Sequence, residues 1–198
     1  ALVAQLPEAL EGFTIAQLSD LHARADTDVA ALLEVVARVN ALHPDMIVLT
    51  GDYVDDAAEA LEGGTSEALG ALDSPLGTYA VLGNRDVWTD PARIAAELGR
   101  VGGTVLQDAS WRIDRAGAGL WLLGLGDSGV SAGPGHSIDE FVEIWWERRG
   151  ALERLLNGLP MEEPRVLLLH NPDVNEVFGG LYLDLALCGH THGGPGRL

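Results

Sequence analysis

Seven side chains of related chemistry fall just after short apolar runs: Asp20, His22, Asp52, Asn84, His170, His190 and His192. Carboxylate, imidazole and amide oxygen together suit borderline divalent cations such as manganese, iron or zinc, and the absence of thiolate argues against a purely structural zinc. Any one of the seven alone reads as a cap, a turn residue or a hydrogen-bonded histidine. Together, supplied by separate run ends or the next turn, they read as a metal site. One residue separates the pair in Asp20-Leu21-His22 and again in His190-Thr191-His192, a spacing that aims both side chains at one face in an extended segment. With seven donors, one of them a carboxylate able to bridge, two divalent ions fit better than one. Gly51, Gly83 and Gly189 each precede a candidate ligand, where the missing Cβ allows a tight turn beside a crowded centre.

The elements that must position these residues are legible in the hydrophobic pattern. Apolar runs at 13–18, 46–49, 79–82, 120–125, 166–169 and 185–188 lack polar alternation, as expected of strands buried on both faces. Between them lie helical patterns. Val29, Leu32, Leu33, Val36 and Val39 share one face, and Asp90-Pro91 caps and starts a helix carrying Ile94, Leu98 and Val101. Ser137 and Glu140 form a capping box ahead of Phe141, Val142, Trp145 and Trp146, the tryptophans reading as core or groove wall. Alternating strand and helix imply a layered α/β architecture, in which ligands gather beyond the carboxyl ends of the strands.

The 198 residues read as a single domain with a sizeable core. Twelve basic against 30 acidic residues leave a formal charge of −18, which would repel a phosphate backbone, so a nucleic-acid partner is not expected. A phosphorylated substrate would need a local cation. The single cysteine, Cys188, excludes an internal disulfide and reads as a buried small hydrophobe. No apolar run approaches the roughly 20 residues of a membrane span and no basic stretch opens a signal peptide. The expected location is cytoplasmic or peripheral to a membrane.

Ser19-Asp20-Leu21-His22, Gly51-Asp52-Tyr53-Val54-Asp55, Gly83-Asn84-Arg85-Asp86, His170-Asn171-Pro172 and Gly189-His190-Thr191-His192 stand in the order of the motifs of the calcineurin-like metallophosphoesterases. The chain resembles that family over residues 13–194. Its segments 168–173 and 190–194 look most like a bacterial branch of phosphodiesterases and lipid-nucleotide hydrolases, often membrane-associated. The resemblance implies that Asp20, His22 and His192 hold one metal, that Asn84, His170 and His190 hold the second, and that Asp52 bridges both. It also implies a four-layer α-β-β-α sandwich of two mixed sheets with the dinuclear site at the strand C-terminal ends; the strand pattern alone is equally compatible with one doubly wound sheet. Two ions about 3.5–4 Å apart can share a hydroxide and clamp phosphoryl oxygens for in-line attack. The expected activity is therefore hydrolysis of phosphoester or phosphoanhydride bonds, on a small substrate of nucleotide or lipid-linked type. The alternative is a protein-interaction scaffold of the same fold with weak or no catalysis.

Two departures from the family stand out. Relatives mostly carry histidine, a proton donor to the leaving oxygen, where this chain has Arg85. Arginine stays protonated and cannot act as a general acid, but its planar fork can grip phosphate oxygens. Arg85 is thus expected to bind substrate phosphate, with Asp86 orienting it, and good leaving groups are expected to be favoured. The UDP-diacylglucosamine pyrophosphatases of the superfamily also carry Gly-Asn-Arg-Asp. His136 is the candidate for a substitute acid, His43 reads as a surface or structural residue, and Asp55, Asp127 and Asn171 are candidates for orienting ligand imidazoles. The second departure is that only six residues follow His192, so the strands that usually complete the second sheet are not expected: either the chain is a fragment or it ends early, and an early end would leave a sheet edge open near the site.

Overall fold

The computed structural model of the chain describes residues 6–129 and 138–192. Its first sheet contains β1 (Ile15–Leu18), β2 (Met46–Thr50), β3 (Thr78–Val81) and β4 (Gly103–Val105), in that order and all parallel. Each crossover carries helix, as parallel neighbours require: α1 (Val29–Asn40), then α2 (Gly64–Gly70), then α3 (Asn84–Thr89) with α4 (Pro91–Arg100). The second sheet contains β5 (Ala109–Arg115), β6 (Ala118–Gly124), β7 (Arg165–Leu168) and β8 (Leu185–Leu187). There β5 and β6 run antiparallel, and the remaining pairs are parallel across α5 (Ile138–Leu156) and a 3₁₀ segment, Pro172–Phe178. Two stacked sheets are thus present as expected. Of the two, only the second is mixed among the described strands, because the first has no hairpin in it.

Alternation along the strands builds the layers. Met46 and Val48 of β2 join Leu122, Val166 and Leu168 of the second sheet in a core between the sheets. Ile47 and Leu49 face the other way, onto Leu69, Ile94 and Leu98 of the helices. Leu123 and Leu167 likewise turn outward onto Ala151 and Leu152 of α5. Three cores between four layers exclude the single doubly wound sheet.

The helix starts follow their caps. Asp28 Oδ1 accepts from Ala30 N and Ala31 N at 3.0 and 3.1 Å, and Asp90 accepts from Arg93 N with Pro91 in the first turn. Leu32 and Val36 are buried, whereas Leu33 rides at the edge of the apolar stripe and is 45% exposed. Trp145 packs on the outer core beneath α5, but Trp146 is exposed, with the Arg149 guanidinium 5.6 Å from its ring centroid. The Ser137 to Glu140 box lies outside the described residues and side chains. His43 occupies a left-handed turn (φ 49°) after α1 and is exposed, a surface role. No helix among the described residues is long and apolar enough to cross a membrane.

A polar clasp joins α2 to α4. Glu97 Oε1 accepts from Ser66 Oγ at 2.6 Å and from Arg100 Nη2 at 2.8 Å, and these bonds, Arg100 first, hold the carboxyl down to about 2. A depressed folded-state value stabilises the fold above the unfolded value near 4.5, and that contribution fades as pH falls toward 2. Glu97→Gln should therefore lower stability at pH 7 by up to about 1 kcal/mol, since the Arg100 side is half exposed. Urea titrations at pH 7 and near pH 2 check this: the difference from the parent should shrink toward the acid end.

Candidate metal centre

All seven predicted donors stand on the loops that leave β1, β2, β3, β7 and β8 at their C-terminal ends. The loops are zipped together by backbone bonds from Asp20 N to Gly51 O, His22 N to Asp52 O and Gly189 N to His170 O, each 3.0 Å. The three glycines are required by clearance. A Cβ at Gly51 would lie 2.7 Å from Gly83 Cα and 2.8 Å from His170 Nδ1; one at Gly83 would lie 2.5 Å from Asp52 N; one at Gly189 would lie 2.9 Å from Thr50 O. Asp20, His22, Asp52, His190 and His192 have φ between 47° and 67°. Left-handed backbone at non-glycine residues is uncommon and costly, and it gathers where function imposes it.

That backbone overturns one expectation. Asp20-Leu21-His22 and His190-Thr191-His192 are not extended, so alternation does not aim their side chains. Left-handed turns do so instead, and the second pair divides: His190 faces one cluster and His192 the other.

Two donor clusters result, Asp20 with His22 and His192, and Asp52 with His170 and His190. In the first, His22 Nε2 lies 3.1 Å from His192 Nε2, and His192 Nε2 lies 3.4 Å from Asp20 Oδ1. In the second, His170 Nε2 lies 3.3 Å from His190 Nδ1 and 3.3 Å from Asp52 Oδ2. The same Asp52 Oδ2 is 3.7 Å from His22 Nε2, so one carboxylate oxygen faces both clusters. Burial disfavours charge on Asp52 and His170, but their hydrogen bond and mutual attraction prevail: the Asp52 carboxyl is held below its usual range and the His170 imidazole above. His170 Nδ1–H donates to Thr50 O at 2.7 Å, which leaves Nε2 facing Asp52 and His190.

Asn84, the first residue of α3, supplies the test of fit. It is buried, and its Oδ1 has no hydrogen-bond partner. The other unpartnered buried side-chain atoms among the described residues are nitrogens of arginine or tryptophan. A buried amide oxygen without a donor is costly, and a cation beside it removes the cost. Aspartate, histidine and this oxygen form a donor set suited to divalent ions.

The calcineurin-like phosphoesterase family model matches residues 13–194. The chain belongs to that family. It is 31% identical to a zebrafish transmembrane protein with metallophosphoesterase domain (Danio rerio), over 97% of this chain and 43% of that protein. It is 31% identical to phosphodiesterase YaeI of Escherichia coli strain K12, over 94% of this chain and 63% of that protein. A shorter match, 39% identical over 84 residues, is to UDP-2,3-diacylglucosamine pyrophosphatase LpxG of Chlamydia muridarum, covering 42% of this chain and 26% of that protein. The chain thus spans about half the length of the relatives it matches most fully. Among solved structures, Haemophilus influenzae NAD nucleotidase has TM-score 0.55 at 15% identity, over 91% of this chain and 38% of that one, a likeness of fold.

In this calcineurin-like phosphoesterase the residues around the donors pair differently from the expectation. Asp86 does not orient Arg85. It is fully buried, and its carboxylate accepts from Asp52 N (2.8 Å), Gly83 N (2.8 Å), Tyr53 N (2.9 Å) and Val54 N (3.3 Å). As the third residue of α3 it reaches back over the helix start, binding the Asp52 loop to the Asn84 helix. Burial, with Asp52 nearby, pushes its carboxyl up to about 6 against these N–H donors. Arg85 is oriented by Asp55 instead: Nη1 donates to Asp55 Oδ1 at 2.9 Å. Asp55 also faces His22 Nδ1 at 3.5 Å and pairs with Arg24. Arg24 went unnoticed in the sequence; its two-residue spacing from His22 was the available signal. Asn171 proves a turn residue, accepting from Asp173 N at 2.9 Å. Asp127, beside His170 in a small cleft, accepts from Gly129 N at 2.7 Å, and burial raises its pKa. His136 lies outside the described residues.

Two outcomes follow. Asp86→Asn places an N–H₂ against backbone donors and should destabilise the protein by about 1–3 kcal/mol in urea unfolding, with manganese present or absent. Manganese at about 100 times its dissociation constant should raise stability by about 2.7 kcal/mol, a gain that Gly189→Ala abolishes and a chelator reverses; thermal melts read both.

Proposed function

We propose that the chain is a metal-dependent hydrolase of phosphoester or phosphoanhydride bonds that holds two divalent ions. The observation that carries this is the convergence of both donor clusters on one oxygen of Asp52. Divalent ions in such a site lower the pKa of water and neutralise phosphoryl oxygens.

The chain's own residues supply the rest. Asp20, His22 and His192 would hold one ion, Asn84, His170 and His190 the other, with Asp52 shared. The Thr50 carbonyl fixes the His170 tautomer, and the Asp86 carboxylate fixes the Asp52 loop. Arg85 grips a phosphoryl oxygen, and Asp55 holds its guanidinium in place beforehand. Arg85 cannot donate a proton to the leaving oxygen. The reaction then favours leaving groups that depart as anions, a phosphoanhydride or aryl phosphate over an alkyl ester. The named activities of the Escherichia coli and Chlamydia muridarum relatives, phosphodiesterase and pyrophosphatase, support this range. Manganese, iron and zinc all suit the donors.

The purified protein should release p-nitrophenol from bis-p-nitrophenyl phosphate when manganese is added. Asp52→Asn should lower kcat/KM at least about 100-fold, the scale of losing one preorganised electrostatic contact. Across aryl leaving groups the rate should fall as leaving-group pKa rises, and Arg85→Ala should raise KM and lower kcat together. A rate indifferent to leaving group, or unaltered turnover in Arg85→His, contradicts the role given to Arg85. Metal binding without stimulated hydrolysis favours a scaffold.

A further inference from the structure

Trp88 stands on α3 one helical turn beyond Asn84 and keeps 55% of its surface in water. Its ring is nevertheless held. The indole Nε1–H donates to Gly129 O. At Gly129 a Cβ would come 2.9 Å from Val87 Cγ1 and 3.4 Å from Trp88 Cδ1, so the loop backbone lies directly against the helix. The Arg85 guanidinium, tied to Asp55, lies 5.8 Å from the ring centroid. A large aromatic surface is thus kept in water, in a fixed orientation, next to the residue that grips phosphate. Water gains nothing from such a surface, whereas a flat ligand stacks on it.

Resting on the hydrolase reading above, we propose that Trp88 is a stacking platform for the base of a nucleotide-type substrate whose phosphate lies at Arg85 and the metal centre. The spacing selects this class. The 5.8 Å between the Arg85 guanidinium and the Trp88 ring centroid is comparable to the pentose between a phosphate and its base. A ring bonded directly to phosphate lacks that spacer.

Calorimetric titration of the manganese-loaded protein with AMP, ribose 5-phosphate and phenyl phosphate tests this without relying on turnover. AMP should bind about tenfold more tightly than ribose 5-phosphate, the scale of one stacked base. Phenyl phosphate should gain nothing over ribose 5-phosphate. In Trp88→Ala the AMP to ribose 5-phosphate ratio should fall to about one, and Trp88→Phe should restore most of it. Because the readout is a ratio, a displaced Arg85 affects both probes alike. A ratio near one in the parent protein, or a ratio unchanged in Trp88→Ala, overturns the platform. A Trp88-dependent gain for phenyl phosphate overturns the nucleotide assignment. If manganese-stimulated hydrolysis persists while the ratio is one, the platform alone fails; absence of hydrolysis and of binding by all three probes removes the hydrolase reading with it.

Discussion

Imidazole nitrogens 3.1 and 3.3 Å apart, with carboxylates beside them, are the arrangement on which the rest of this structure depends. Nitrogens and carboxylates at that separation must share protons or a cation between them. Protons can fill part of that role, as the raised His170 and lowered Asp52 indicate. A cation with several coordination positions would also satisfy the orphaned oxygen of Asn84. The negative charge of the chain as a whole does not oppose this, since exposed charges beyond about 8 Å are largely screened at physiological salt. What matters is the local excess of acceptors, and the fold creates it deliberately at the strand ends.

Gathering those acceptors is costly in backbone terms, and the four-layer frame absorbs the cost. Five donor residues sit in left-handed conformations, and three glycines remove Cβ atoms that would otherwise collide with neighbouring loops. Such geometry persists only where the surroundings over-determine it. Here the surroundings are β2 and β7, buried along their whole length, and the Asp86 carboxylate, whose four backbone bonds tie two ligand loops into one unit. Asp86 looks like part of the chemistry by its place in the motif. By its contacts it is a structural tie, and its burial keeps it from substrate.

The donors were legible in the sequence because polar residues of metal-binding type following apolar runs are rare combinations, and burial on both faces makes those runs unbroken. α1 was legible from its apolar periodicity and α4 from its Asp90-Pro91 cap. β4 and β5 were not. The first is three residues long, and the second buries only Ile113, so its pattern resembles a loop until the two-residue turn Ala116-Gly117, both at positive φ, pairs it with β6. Side-chain aim within His190-Thr191-His192 was misread because a strand period was applied to residues that have left the strand. The orientation of Arg85 was missed for a related reason: its partner, Asp55, is 30 residues away in sequence, and only the packing of the β2 and β3 loops brings them together.

That pairing bears on what the site can accept. A histidine at position 85 could both bind the phosphate and protonate the leaving oxygen, so one side chain would serve alkyl and aryl esters alike. An arginine separates the two roles: it keeps the charge at every pH and forgoes the proton. Asp55 then holds the guanidinium still, which lowers the entropy lost on gripping phosphate, while its second oxygen engages Arg24 so that the carboxylate is not left with Arg85 alone. On the proposed reading, this arrangement would strengthen phosphate binding and leave the departing group to stabilise its own negative charge, so that selectivity would reside in the substrate's chemistry as much as in its shape.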